Sequence, residues 1–228
     1  MKIIKYFFEF IIIITFFSIF KIIGYRNASN LGEKIGKFFG PLFRSSHVIQ
    51  KNFENLKDSY SHNETKNIIK NMWGNYGRIF AEYMYLKKFR NNVLSSNVEI
   101  NGQKILDEIK SKKEPVIFVS GHFNNFELMA MYLEKSGINL AAIYRPLNNK
   151  FLNPLMEKIR KKYICKNQIK KGIAGTKEIL KYFKEGTSIA LMIDQRVSEG
   201  EKIELFNKAA LTTTLPAQLA IKYNLNVI

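Results

Sequence analysis

The run Val116-Ile117-Phe118-Val119, closed at once by Ser120-Gly121-His122, narrows the fold more than any other stretch. Pro115 opens it, and its residues are β-branched or aromatic, the pattern of a short buried strand. Asn124 and Asn125 then read as N-caps for a helix through Leu128-Met129-Ala130-Met131-Tyr132-Leu133. A strand that turns directly into a helix is the unit of a parallel α/β sheet. It puts His122 at the strand's carboxyl end, where such sheets bind ligands. The rhythm recurs downstream. Strands are expected at 98–100, 116–119, 140–144, 188–193 and 202–205, and helices at 103–110, 126–135, 152–161, 174–184 and 216–223, with Gly137, Gly186 and Gly200 as punctuation. The fold class is therefore α/β, a helix-covered, mostly parallel sheet. Asn226-Val227-Ile228 reads as the start of one more strand.

The N-terminus is a different solvent problem. Tyr6 to Ile23 is apolar except for Glu9, Thr15, Ser18 and Lys21. About 18 residues of helix span about 27 Å, enough for a bilayer core. A signal peptide is the rival, but Gly24-Tyr25-Arg26 offers no small-x-small cleavage site. A buried soluble helix and a helix lying in the membrane interface are further alternatives. Basic residues after the run (Lys21, Arg26, Lys34, Lys37, Arg44) outweigh Lys2 and Lys5, which places the remainder in the cytoplasm. The expected organisation is an anchor at 1–25 and one domain at 26–228, with a helical lead-in to 95 and the α/β core from 96. In the lead-in, a helical stretch over 31–56 breaks at Gly40-Pro41. There Phe38, Phe39, Leu42 and Phe43 either pack in a core or form an apolar lip at the membrane. Ser61-His62-Asn63-Glu64 is a capping box for a long helix through Leu86. Its Trp73, Tyr76, Phe80 and Tyr83 fit a core or the lining of a tunnel for an apolar chain. The net charge of +17 asks for an anionic partner. Lysine, isoleucine and asparagine are also what an AT-rich genome writes, and no nucleic-acid motif is present.

Chemistry concentrates at His122 and Glu127. On one regular helix, residues five apart point about 140° away from each other. The two meet only if His122 lies outside the helix and Glu127 in its first turn. A carboxylate on the imidazole would fix its tautomer and make His122 a general base. Asn124-x-x-Glu127 equally reads as a capping box. His47, His62 and His122 stand far apart and Cys165 is the single cysteine, so neither a zinc site nor an internal disulfide is expected. No Gly-rich phosphate loop is present, and no cofactor is implied.

The block GHFNNFE, residues 121–127, resembles the H-x4-D/E block of the glycerolipid acyltransferase superfamily, and within it the lipid A biosynthesis branch that adds lauroyl or myristoyl chains. Further blocks follow in that family's order: Tyr144-Arg145-Pro146-Leu147-Asn148-Asn149, then Met192-Ile193-Asp194-Gln195, then Leu211-Thr212-Thr213-Thr214 with Leu219-Ala220. The likeness spans Phe7 to Ile228. It implies acyl transfer from an acyl carrier protein or coenzyme A thioester to a hydroxyl of a lipid A precursor, in lipopolysaccharide biosynthesis. It also implies a bacterial inner membrane site with the catalytic domain on the cytoplasmic face. By the same resemblance His122 is the base and Glu127 orients it. Arg145 holds a substrate phosphate, with Arg160 as a second contact, and Asp194 and Gln195 position the site. Arg145, Lys150, Arg160, Lys161 and Lys162 would steer an acidic carrier. Family members continue for several more elements, so a shortened version or a fragment is expected. Alternatives on the same fold are another glycolipid or lysophospholipid acceptor, or a catalytically silent membrane-tethered binding protein.

Overall fold

In the computed structural model, which describes residues 2–44, 46–53, 60–206 and 208–228, the helices are α1 (Lys2–Ile23), α2 (Tyr25–Phe39), α3 (Ser46–Phe53), α4 (His62–Glu82), α5 (Leu86–Arg90), α6 (Gln103–Lys112), α7 (Glu127–Lys135), α8 (Leu152–Tyr163), α9 (Ile173–Lys184) and α10 (Leu215–Tyr223). The strands are β1 (Ile117–Ser120), β2 (Leu140–Tyr144), β3 (Asn167–Lys170), β4 (Ser188–Met192), β5 (Glu201–Leu205) and β6 (Lys208–Thr212). The chain divides into two compact units, one of residues 1–10, 86–201 and 211–228, the other of 11–85 and 202–210.

The first unit is built on a four-stranded sheet in the order β1-β4-β2-β3, parallel throughout. Ile117, Ala141, Ile169 and Ile189 are fully buried, and Ile179, Phe183 and Leu219 from α9 and α10 close over them. Each buried Ile, Leu or Phe side chain contributes about 1.5–3 kcal/mol. Register decides what stands beside what. Ser120 pairs with Met192, so His122 and Asp194, each two residues further on, leave the sheet side by side. Tyr144 pairs with Lys170, so Arg145 and Lys171 emerge together in the same way.

Three expectations need correction here. Residues 98–100 are not a strand; the free edge of β1 is taken by the chain's last residues, with Ile117 N–H donating to Asn226 O at 2.9 Å and Val119 N–H to Ile228 O at 2.8 Å. The strand at 202–205 forms, but with β6 in a separate two-stranded sheet. β3, whose sequence Asn-Gln-Ile-Lys carries only one apolar residue, joins the main sheet unforeseen because Ile169 alone faces the core. The helix after His122 also begins later than its asparagines suggest. Asn124 takes a left-handed φ of 42° and shapes the turn, and the N-cap is Phe126, with no side-chain cap.

In the second unit α2 and α4 cross closely on glycines. A Cβ at Gly77 would stand 1.9 Å from Gly32 O, and one at Gly36 would stand 2.2 Å from Trp73 O. The crossing carries a polar seam: Ser29 Oγ donates to Glu82 Oε1 at 2.8 Å, and Arg78 donates to Ser29, Asn30 and Glu33. Ser61 and Glu64 form the expected capping box at the start of α4. Phe38, Leu42 and Phe43 are 75%, 79% and 81% exposed, so they do not pack in a core. α1 is long and apolar enough to cross a membrane, by length and composition.

Candidate active site

Every group that matters here lies just past the carboxyl end of a parallel strand. After β1 the chain turns at Gly121, and His122 follows. After β4 come Ile193, Asp194 and Gln195. The equal offset from paired residues brings the Asp194 carboxylate onto His122 with both oxygens: Oδ1 lies 2.7 Å from Nδ1, and Oδ2 accepts from the His122 backbone N–H at 2.7 Å. Gly121 makes the approach possible, since a Cβ there would lie 3.2 Å from Asp194 Oδ2 and 2.7 Å from the Phe123 ring. Burial acts to raise the Asp194 carboxyl, but the two hydrogen bonds and the positive field of His122 outweigh it and hold the group below its ordinary range. An ionised Asp194 fixes the proton on Nδ1 and leaves Nε2 as the basic nitrogen. Gln195 Nε2 stands 3.4 Å from His122 Nε2, and the Phe126 ring meets the imidazole edge-on, with centroids 4.7 Å apart.

Glu127 has another partner. Arg160 donates to its Oε1 from Nε at 3.0 Å and from Nη2 at 2.8 Å, with the two side chains only 10% and 15% exposed. The carboxylate expected on the imidazole is thus supplied by Asp194, from β4, while Glu127 ties the start of α7 to the last turn of α8. The capping reading does not describe Glu127 either, since it is the first residue of α7 and the N-cap carries no side-chain bond. The Arg160 guanidinium lies over the Tyr144 ring, 5.7 Å from its centroid. Burial, with a 2.6 Å hydrogen bond to the Glu157 carboxylate, pushes the Tyr144 phenol above its ordinary value.

His122 opens onto a cleft of about 480 Å³. Its wall is apolar along α7 and the sheet, at Met129, Ala130, Ile143 and Leu191, and basic at Arg145 and Lys171. Thr213, from the Thr-rich segment, also lines it. Arg145 and Lys171 are exposed, and their side chains make no hydrogen bond or ion pair among the described residues. Such an arrangement suits a ligand with a hydrocarbon part and an anionic part. Cys165 is buried at the amino ends of β2 and β3, its thiol donating to Leu140 O at 3.2 Å and pushed up to about 12, chiefly by burial. It is outside the cleft lining and unsuited to nucleophilic work.

Of the residues singled out from sequence, the structure gathers His122, Gln195 and Arg145 around one opening, with Asp194 bonded to His122 and Glu127 and Arg160 as an ion pair in the wall. Lys161 and Lys162 are not at this mouth. Arg160, on the same turn of α8, lines the cleft, whereas Lys161 and Lys162 are not among its lining residues. Two contributors went unrecognised: Lys171, one residue past β3, and Asn149, given no task beyond its place in a block. Asn149 is buried; its Oδ1 accepts from Phe151 and Leu152 N–H at 3.0 and 3.1 Å, opening α8, while its Nδ2 donates to Tyr6 O at 2.8 Å and Glu9 Oε2 at 3.2 Å. The signal for Lys171 was its offset from a strand that the sequence did not reveal.

A search of curated proteins finds no match to this chain. A family profile does match, and over the whole sequence. Residues 1–228 fit the bacterial lipid A biosynthesis acyltransferases, whose reaction class agrees with a histidine–carboxylate pair at the mouth of a half-apolar, half-basic cleft; the chain belongs to that family.

Proposed function

We propose that this protein moves a fatty acyl chain from an acyl carrier protein thioester to a hydroxyl of a lipid A precursor, at the cytoplasmic face of the inner membrane. The observation that carries the reading is His122 held by an ionised Asp194 at the opening of the cleft. In this reading His122 Nε2 takes the proton of the acceptor hydroxyl as its oxygen attacks the thioester carbonyl. The C–O bond forms and the carbonyl oxygen becomes an oxyanion. Asp194 stabilises the imidazolium so produced. Collapse of the tetrahedral centre breaks the C–S bond, and the departing thiolate takes the proton back from Nε2. The thioester is already activated, so the step needs only a base and stabilisation of the oxyanion. The Gln195 amide, 3.4 Å from Nε2, is a neutral donor beside that position. Arg145 and Lys171 suit the phosphates of the acceptor or the carrier's prosthetic arm, and the apolar wall suits the acyl chain. The Glu127–Arg160 pair holds α7 and α8 at the spacing that keeps the cleft open.

Mass spectrometry of lipid A from cells with the chain, without it, and carrying His122→Ala tests the proposal. One secondary acyl chain should be missing in the latter two. Unchanged lipid A in all three overturns the assignment.

A further inference from the structure

We propose that the end of α2 and the turn after it, residues 38–43, dip into the surface of an anionic bilayer as a membrane contact in their own right. This rests on the membrane site proposed above and goes further, since it names a part of the chain other than α1 that touches lipid. All of it lies within the second unit. Phe38, Leu42 and Phe43 project into solvent, and Phe39 beside them is 45% exposed. Single exposed apolar residues are ordinary, but four large ones within six residues mark a surface that something covers. The segment is braced. Gly40 sits so close to the Trp73 ring of α4 that a Cβ there would stand 2.4 Å from it. Pro41 fixes the backbone of a single 3₁₀ turn over Gly40–Leu42, and Phe43 N–H donates to Gly40 O at 2.9 Å. Phe38 and Phe39 meet edge to face, with ring centroids 4.8 Å apart. The apolar side chains are thus held outward by the packing of α2 on α4.

Charge identifies the cover. Residues 34–53 contain Lys34, Lys37, Arg44 and Lys51 and no Asp or Glu. Lys34 lies one turn before Phe38, on the same side of α2, and Arg44 follows Phe43 directly; both are exposed. Lys70, also exposed, stands one turn before Trp73 on α4. Lys37 is the exception, being paired with Glu33. Apolar side chains flanked by exposed cations make an interfacial contact: the rings enter hydrocarbon just below the headgroups while the long basic side chains reach back to phosphates. A second copy of the chain is a poor cover, because two such ends brought together would set the Lys34 and Arg44 of one against those of the other. α1, separated from α2 by Gly24 alone, is itself long and apolar enough for a membrane, so lipid is the apolar phase at hand. Each Phe or Leu side chain fully transferred out of water favours the inserted position by about 10–10².

The test is depth. A nitroxide on Leu42→Cys, and separately on Phe43→Cys, in the full chain on phosphatidylethanolamine–phosphatidylglycerol vesicles, should be accessible to lipid-borne oxygen and shielded from a water-borne nickel chelate. Cys165 is buried, and the unaltered chain serves as the labelling control. Both labelled positions are exposed, so the substitutions leave the packing of α2 on α4 alone. Adding Phe38→Ser and Phe43→Ser to the Leu42→Cys chain should return its label to water, and adding Lys34→Glu and Arg44→Glu should do the same. Vesicle-bound protein whose Leu42 label stays open to the chelate would overturn the proposal and leave acyl transfer untouched. A label shielded from chelate and oxygen alike would overturn it in favour of a protein cover, a second copy if spin–spin broadening accompanies the shielding and another partner if it does not. Protein that stays off the vesicles would overturn it together with the membrane part of the proposed function.

Discussion

Replacing Asp194 by asparagine changes the shape of the site hardly at all and its chemistry a great deal. In the unaltered protein both Asp194 oxygens accept at 2.7 Å, one from Nδ1 of His122 and one from its backbone N–H. An asparagine keeps one acceptor. Its amide group then faces the other N–H donor, or the imidazole flips tautomer, takes a bond from the amide at Nδ1 and carries its proton on Nε2. In that tautomer Nε2 cannot take a proton from the acceptor. A hydrogen bond to a charged group is worth about 1.5–3 kcal/mol, roughly 10–10² in rate if lost only in the transition state. Loss of the correct tautomer brings the total to about 10²–10⁴. The assay is turnover of acyl carrier protein thioester by purified protein, with His122→Ala and Glu127→Gln alongside. Asp194→Asn should lie close to His122→Ala, and Glu127→Gln well above both. Stability adds a second readout. The Asp194 carboxyl is lowered in the folded chain, so the stabilisation it gives is present above its unfolded value of about 3.9 and is lost as pH falls through the folded value. Asp194→Asn should therefore flatten the acid limb of stability against pH and leave the alkaline limb alone. Asp194→Asn turning over within about tenfold of the unaltered protein, with Glu127→Gln as inert as His122→Ala, would refute the reasoning.

Three further outcomes are expected. Glu127→Ala removes a carboxylate from the buried Arg160 guanidinium and should cost about 3–5 kcal/mol of stability, whereas the double change Glu127→Leu with Arg160→Met should unfold at a higher temperature than Glu127→Ala; the reverse order in thermal melts would contradict the ion-pair reading. Gly77→Ala places a methyl 1.9 Å from Gly32 O and should lower stability by at least about 1–3 kcal/mol, read by circular dichroism. Lys150→Glu with Lys171→Glu should lower kcat/KM for the carrier-protein thioester at low salt, and the effect should fade as the Debye length falls from about 10 Å at 0.1 M to about 3 Å at 1 M. Lys161→Glu with Lys162→Glu, at the far end of α8, is the comparison that should show little change.

The sequence alone settled what is local. A run of β-branched residues stopped by Ser120-Gly121 can hardly be other than a strand and a turn, and strands at residues 140–144 and 188–192 and helices α6 to α10 appear within a few residues of where their periodicity puts them. The capping box at Ser61 is equally local, and it forms. His122 at a strand's carboxyl end needed nothing more. What the sequence could not decide is which strand lies beside β1. It is β4, some seventy residues on, and not β2, because burying all four strands under helices is a property of the whole sheet. From that pairing follow the carboxylate on His122, which comes from Asp194 and not from the nearby Glu127, the release of Glu127 to Arg160, and the place of Lys171. Short-range spacing made Glu127 the obvious partner. The parallel register, which sets residues two beyond Ser120 and Met192 next to one another, gave that position to Asp194.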